Sequence, residues 1–354
     1  MSTTTPEEFM ASEIEISAMR RALDAARGVG RTLPNPRVGC VLLTPDGREI
    51  AVGAHHGAGT RHAEVDAISH AGAAARGATA IVTLEPCNHR GRTGPCAQAL
   101  LEAGVARVVF AQTDPDRSAA GGATTLRAAG IDVEAGVLGE EATELNREWT
   151  LAVTTGRPFV TWKYAATLDG RIAAPDGTSR WISSEAARRD VQTFRAESDA
   201  ILVGTGTILA DDPRLTVRDT ADHPLPYEKQ ALRVVMGESA IPSQYRVLDE
   251  TAPTLLIQSR DPADVLHQLA DREIRHVWLE GGPRLAGAFW NAGLIDRVIG
   301  YLAPSLLGAG RAALESDATT LTDKRPIELH DLTMIGPDIR IIGSPDRAQR
   351  EDVD

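Results

Sequence analysis

Cysteine is nearly absent from this chain: Cys40, Cys87 and Cys96 are the only three in 354 residues. Three cysteines cannot build a disulfide framework and suit a reducing cytoplasm, the expected location. Aromatic residues are scarce as well, 14 in all (5 Phe, 5 Trp, 4 Tyr), and for any one of them stacking on a ligand competes with plain core packing. Positive charge is in deficit, 37 Lys plus Arg against 49 Asp plus Glu, a net charge of -12. Such a surface disfavours a nucleic-acid backbone or an anionic membrane as the main partner, while leaving room for a local basic pocket that takes one phosphate. No apolar run approaches the ~20 residues that span a bilayer. The opening MSTTTPEEFMASEIEIS lacks the basic and apolar regions of a signal peptide. What is present is ordinary for a globular protein, 42% hydrophobic and 24% charged residues, and the length suits two domains of ~150 residues each.

The two halves have different patterns. In the first, Ile14, Met19, Ala22, Leu23 and Ala26 predict a helix over 14–27, broken by Leu33-Pro34-Asn35-Pro36. Apolar runs at 38–44 and 49–54 flank Pro45-Asp46-Gly47 and read as strand, turn, strand. Helices at 62–71, 97–103 and 121–129 then alternate with strands at 80–84, 105–111 and 131–137, which predicts an α/β sandwich over one sheet. A polar helical stretch, 140–155, leads to Thr155-Gly156-Arg157-Pro158, where the domain boundary is set: a first domain over 14–155 and a second over 156–345. The second half reads as strands at 159–165, 200–204, 232–236, 254–258, 276–280 and 297–302, with helices at 183–198, 262–273 and 285–292. It too is α/β. The segment 221–230 reads as a surface loop and 344–354 as a frayed polar tail.

The strongest chemical signal is His62-Ala63-Glu64, followed by Pro86-Cys87 and Cys96. Zinc-dependent deamination needs three protein ligands, an open fourth position for water, and a carboxylate beside the metal that moves protons without ligating. At a helix start after a loop, His62 can face a metal while Glu64 reaches the water. Cys87 ends a strand and Cys96 opens a helix, where the thiolate is favoured. A closed structural zinc site would want a fourth protein ligand, and there is no fourth cysteine. Eight residues separate Cys87 from Cys96, in place of the Cys-x-x-Cys of other zinc deaminases. That insert, Asn88-His89-Arg90-Gly91-Arg92-Thr93-Gly94-Pro95, is polar and basic, suited to an anionic or carbonyl-bearing substrate.

Together with Pro34-Asn35-Pro36-Arg37-Val38-Gly39 and Gly53-Ala54-His55, these motifs closely resemble the bifunctional riboflavin-biosynthesis deaminase/reductase family. The resemblance implies zinc-dependent deamination of a diaminopyrimidinone ribosylamine 5'-phosphate, followed by NADPH-dependent reduction of its ribosyl group to ribityl. It implies a cytidine-deaminase-like first domain with His62, Cys87 and Cys96 on zinc, Glu64 as catalytic residue, and Asn35, His55, His89 and Arg92 around the pyrimidine. Departures from the family pattern are Asn88, Asp66 and the loop Asp114-Pro115-Asp116-Arg117.

No Gly-x-Gly-x-x-Gly follows a strand in the second half, so a Rossmann fingerprint is lacking. Glu280-Gly281-Gly282-Pro283 ends a strand and opens a helix, leaving backbone N–H groups for a phosphate. The second half carries further family motifs: Lys163-Tyr164-Ala165-Ala166-Thr167-Leu168-Asp169-Gly170-Arg171, Trp181-Ile182-Ser183-Ser184 and Ala210-Asp211-Asp212-Pro213-Arg214-Leu215-Thr216-Val217-Arg218. They are similar to the family's reductase domain, whose fold is like that of dihydrofolate reductase. By that resemblance Ala165, Trp181, Thr207, Asp211 and the run Gly282, Pro283, Arg284, Leu285, Ala286, Gly287 and Ala288 would meet NADPH. Lys163, Ser179, Arg195, Leu215, Arg218 and Glu280 would meet the substrate, with Lys163 on the pyrimidine carbonyl. Arg195 and Arg218 suit a 5'-phosphate, because guanidinium can grip it in a bidentate fork. The expected partner is therefore a small phosphorylated pyrimidine; neither nucleic acid nor membrane is expected, and a homo-oligomer is left open.

Overall fold

The structure, a computed structural model, describes residues 11–89 and 94–346. The chain divides into two compact units that meet in sequence at Thr155 and Gly156.

In the first unit, α1 (Glu13–Gly28) starts at Ser12, whose side chain and that of Glu15 cap each other's backbone N–H reciprocally. The strands β1 (Gly39–Leu43), β2 (Glu49–Ala54), β3 (Thr79–Leu84), β4 (Arg107–Gln112) and β5 (Asp132–Ala135) form one sheet in the order β2-β1-β3-β4-β5. The β1 pairings are antiparallel; β3, β4 and β5 run parallel. All five residues of β1 are buried because helices cover both sides. Cys40 and Leu42 pack with α2 (Ala63–Ala71), α3 (Cys96–Ala103) and α4 (Gly122–Ala128). Their neighbours Val41 and Leu43 pack with α1 and with α5 (Gly139–Leu145), as the alternation of a strand requires. A Cβ on Gly53 would sit 2.3 Å from the Ala63 carbonyl oxygen, so glycine there lets the start of α2 rest on β2. The stretch expected as one polar helix is two, α5 and α6 (Arg147–Thr155). Between them Asn146 turns inward, accepting from the Arg37 N–H and donating to the Arg37 carbonyl.

In the second unit, β6 (Phe159–Thr167), β7 (Arg171–Ala173), α7 (Glu185–Glu197), β8 (Ala200–Gly204), α8 (Thr205–Asp211), β9 (Leu232–Met236), β10 (Thr254–Ile257), α9 (Pro262–Ala270), β11 (His276–Leu279), α10 (Pro283–Asn291), β12 (Arg297–Ala303), β13 (Arg311–Ala312), β14 (Ile327–Ile335) and β15 (Asp338–Pro345) follow in turn. The main sheet has the order β10-β9-β8-β11-β6-β12-β15-β14. Its first six members are parallel, and β15 and β14 extend it antiparallel. From β6 the chain builds outward through β8, β9 and β10, then returns to insert β11 between β8 and β6. That reversal creates a crevice at the carboxyl ends of the strands, where open α/β sheets bind ligands. Helices α9 and α10 cover one face and α7 and α8 the other.

One expectation is corrected here. Ser344 and Pro345 belong to β15 rather than to a frayed tail, and the sequence reading missed the whole β14–β15 hairpin. On β14 half-exposed apolar residues are interspersed with charge, as on an edge strand, so no clean alternation marks it. The expected surface loop 221–230 is exposed over nearly its whole length, and buried Gln230 anchors its end, accepting from the Val217 N–H and donating to the Val217 carbonyl.

Candidate active sites

Local structure brings the first site together. His62 is the residue just before α2, Cys96 the first residue of α3, and Cys87 follows β3. His62 Nδ1 lies 3.2 Å from Cys96 Sγ and 3.6 Å from Cys87 Sγ, and the three ligand atoms all fall within 4.8 Å of one another. Tetrahedral zinc bonds of about 2.0–2.3 Å put ligand atoms roughly 3.3–3.8 Å apart, close to the two His–Cys separations, so this donor set fits zinc. It is the only such group of three among the described residues, which leaves a fourth position for water.

The Cys87 thiol is pushed well down by hydrogen bonds from Cys96 and from His62, against the opposing effect of burial. Cys96 also gives Cys87 its backbone N–H at 3.4 Å. Glu64, two residues into the same turn, is buried. That burial raises its pKa, which suits a group that must hold and release a proton.

Around this cluster, Asn35 Nδ2 and His55 Nε2 are 2.9 Å apart, and His55 Nδ1 lies 2.9 Å from the Arg61 carbonyl oxygen. The His55 ring stands edge-on to His62 at 5.2 Å between centroids, so the structure does bring Asn35 and His55 to the metal ligands. His89 is exposed, and Arg92 lies outside the described residues. Sequence reasoning missed Glu85. This buried carboxylate accepts from the N–H groups of Asp114, Gly121 and Ala123, clamping the 114–123 segment beside Cys87. Burial, together with the nearby Asp116 and Glu85 charges, pushes Asp114 up to about 7. A carboxyl beside Pro-Cys in a metal motif was the available signal.

The second site lies at the carboxyl ends of β6, β8 and β11. Arg195 on α7 holds Glu280 in a fork, Nε to Oε1 at 2.7 Å and Nη2 to Oε2 at 2.6 Å, and its Nη1 donates to the Thr216 carbonyl. The fork expected of Arg195 for a phosphate is therefore filled by Glu280. Burial alone would raise Glu280; the Arg195 charge and hydrogen bonds, with help from Lys163 and Trp278, instead push it down to about 2. Lys163, one of three lysines in the chain, is half-buried in the middle of β6. Burial lowers its pKa while the charge of Glu280 supports it.

Arg218 is half-buried, bonded to Thr216 Oγ1 and to Asp222 Oδ2 at 2.8 Å. Leu215 is buried beside Thr216, and Ser179 lies in the segment before Trp181.

Trp181 is 69% exposed, with the Arg188 guanidinium 4.3 Å over its ring. The ring is therefore at the surface and not part of a core. Arg188 was missed because its helical position reads as solvated. Arg180 ties this segment to Asp211 through the Asp211 carbonyl, and Thr207 lies on the same helix, α8. Gly282 caps α10 and Pro283 opens it. A Cβ on Gly206 or Gly282 would meet nothing within 4 Å, so both border open space into which a cofactor can come close to backbone. Ala165 is half-buried on β6, and Leu285 and Ala288 are half-buried on α10. Arg284 is exposed and paired with Glu315. Ala286 and Gly287 turn away into the core, where a Cβ on Gly287 would lie 1.8 Å from the Glu315 carbonyl oxygen. The part of the expected run that borders open space is thus its beginning.

Residues 12–112 match the cytidine and deoxycytidylate deaminase zinc-binding region, and residues 158–340 match the RibD C-terminal domain. The riboflavin biosynthesis protein RibD of Mycobacterium tuberculosis is 50% identical over 88% of this chain and 91% of its own. The solved RibD of Acinetobacter baumannii, 38% identical, superposes with a TM-score of 0.88 over 95% of this chain and 100% of its own. The diaminohydroxyphosphoribosylaminopyrimidine deaminase/5-amino-6-(5-phosphoribosylamino)uracil reductase of Thermotoga maritima, 33% identical, gives 0.85 over 94% and 99%. Fold and sites thus define a zinc-dependent cytidine-deaminase-like unit followed by a reductase unit. The chain belongs to the RibD family, the bifunctional deaminase/reductases of riboflavin biosynthesis. It is a hydrolase and an oxidoreductase, and its cofactors are zinc and NADPH.

Proposed function

We propose that residues 14–155 carry the deaminase and 156–345 the reductase, each with its own site, and that His62, Cys87 and Cys96 hold the zinc. The observation that carries this reading is the three-ligand cluster with buried Glu64 beside it. Zinc, when bound there, acidifies water toward neutral pH. Glu64 takes one proton from the attacking water to the ring nitrogen, then carries the second, from the hydroxyl so added, to the departing amine. Water thus adds to the ring carbon, the C–N bond breaks and ammonia leaves. The Asn35–His55 pair, with His89 and Arg92 from the basic insert, holds the pyrimidine.

In the second unit, NADPH supplies the hydride that converts ribosyl to ribityl. Trp181, Ala165, Thr207, Asp211 and the start of α10 receive this cofactor; Lys163, Ser179, Leu215, Arg218 and the Arg195–Glu280 pair receive the substrate. Glu280 accepts a substrate hydroxyl or amine, and Arg218 takes the 5'-phosphate. The substrate is a small phosphorylated pyrimidine, not a nucleic acid. The reaction is placed in the cytoplasm, and assembly into a homo-oligomer is compatible with it.

Absorbance at the nicotinamide band tests the division of labour. With the diaminopyrimidinone ribosylamine phosphate, a chelator should stop NADPH oxidation; with the aminouracil ribosylamine phosphate, oxidation should continue. Loss of both under the chelator would overturn two independent sites.

Arg218→Ala should weaken the aminouracil substrate about 10- to 150-fold, the worth of one charge-assisted phosphate contact. NADPH affinity, measured by titration calorimetry, should stay unchanged. Equal weakening of both ligands would assign Arg218 elsewhere.

A further inference from the structure

We infer that Trp278, buried against the Arg195–Glu280 pair, is a positioning residue that fixes which acceptor direction Glu280 offers to the substrate. The inference rests on the proposed contact between Glu280 and substrate. On β11, Val277 and Leu279 pack with the α9–α10 core, while Trp278 faces the α7 side. Glu280, two residues on, follows the same side by strand alternation.

Trp278 is fully buried, and a buried indole N–H needs an acceptor. That acceptor is Glu280 Oε1, the oxygen that also takes Arg195 Nε. The ring has a second contact: it stacks nearly parallel on Phe194, 5.5 Å between centroids at 8°. Phe194 immediately precedes Arg195 on α7. One indole therefore touches both sides of the Arg195–Glu280 pair, holding the carboxylate by its N–H and the arginine through the neighbouring ring.

An ionised carboxylate has about four lone-pair directions. Arg195 and Trp278 occupy three of them, two on Oε1 and one on Oε2. Among the described residues, that leaves Oε2 with one direction for an incoming donor. Packing alone would be met by phenylalanine; the N–H adds the second donor that fills Oε1, beside the fork set by Arg195, and so leaves the open direction on Oε2.

The test uses the full-length enzyme. Trp278→Phe keeps the stack and removes the donor. The Kd of the aminouracil ribosylamine phosphate should rise about tenfold, the lower range for a hydrogen bond to a charged group, with NADPH Kd within about twofold of wild type. In a Glu280→Gln background the same substitution should add less than about twofold, because the two residues act as one unit. Phe194→Leu removes the stack and keeps the indole; it should cost substrate about threefold without touching NADPH, and it supplies the reading should Trp278→Phe not fold. Unchanged substrate affinity in both single variants, equal loss of NADPH, or an undiminished effect in the Glu280→Gln background would overturn the inference. If Glu280→Gln alone leaves substrate affinity unchanged, the assignment of Glu280 to the substrate has failed, and the positioning role fails with it. That result is distinct from a silent Trp278→Phe beside an effective Glu280→Gln.

Discussion

Glu64→Gln should leave zinc bound and reduction intact while deamination falls by about 10²–10⁴, the usual worth of a positioned general acid/base. The amide keeps the size and polarity of the carboxylate and can still donate a hydrogen bond. It cannot take the two protons of the water in turn and pass one to the ring nitrogen and the other to the amine. Glu64 stands one turn-position beyond His62, buried at the start of α2, where a similar-sized amide is accommodated. The ligand atoms themselves belong to His62, Cys87 and Cys96, so metal content by elemental analysis should match wild type. The reductase site is built from residues beyond Gly156 in a separate core, so the aminouracil substrate should be reduced at near wild-type rate. Normal deamination by this variant would remove Glu64 from the chemistry. Loss of both steps with zinc and fold intact would mean that the sites are not independent.

Cys87→Ser should strip the protein of metal and, with it, of deamination. A serine hydroxyl does not ionise in this environment, whereas the Cys87 thiol is driven toward thiolate by its neighbours. Losing one of three ligands should cost more than the 10–100-fold in affinity that follows loss of a residue merely orienting a ligand. Elemental analysis should therefore fall from one zinc per chain to background, while NADPH-dependent reduction of the aminouracil substrate persists. A Cys87→Ser protein that retains a full equivalent of zinc would put the metal elsewhere.

Much of the architecture could be read from local pattern. Strands at 49–54, 200–204 and 232–236 coincide residue for residue with β2, β8 and β9, because each is a short apolar run between turn signals. The candidate zinc ligands were legible for a related reason: His62, Cys87 and Cys96 each stand at an element end, and rare residue types at such positions leave few alternatives. The β14–β15 hairpin was not legible, since an edge strand with half-exposed apolar residues has no clean period. The pairing of Arg195 was not legible on similar grounds. On α7 it lies off the stripe of Ala187 and Val191 and reads as a surface charge or a phosphate ligand. Its partner Glu280 is 85 residues away in sequence, and no helical or strand period links the two.

The sequence by itself determined the two α/β units, the division near Thr155, the candidate metal-binding triad with its neighbouring carboxylate, and the resemblance that led to the family. All of these rest on spacings of a few residues or on whole motifs. Only the tertiary structure decided which charges pair. It turned Arg195 onto Glu280, put Trp278 beneath that carboxylate, set Asn35 against His55 beside the metal ligands, and left Trp181 exposed under Arg188. For the Arg195–Glu280 site the physical reason is that the order β10-β9-β8-β11-β6-β12 inserts a late strand between two early ones. Residues at the carboxyl ends of those strands become neighbours across a hydrogen-bonded spacing of about 4.8 Å, a proximity that no local periodicity encodes.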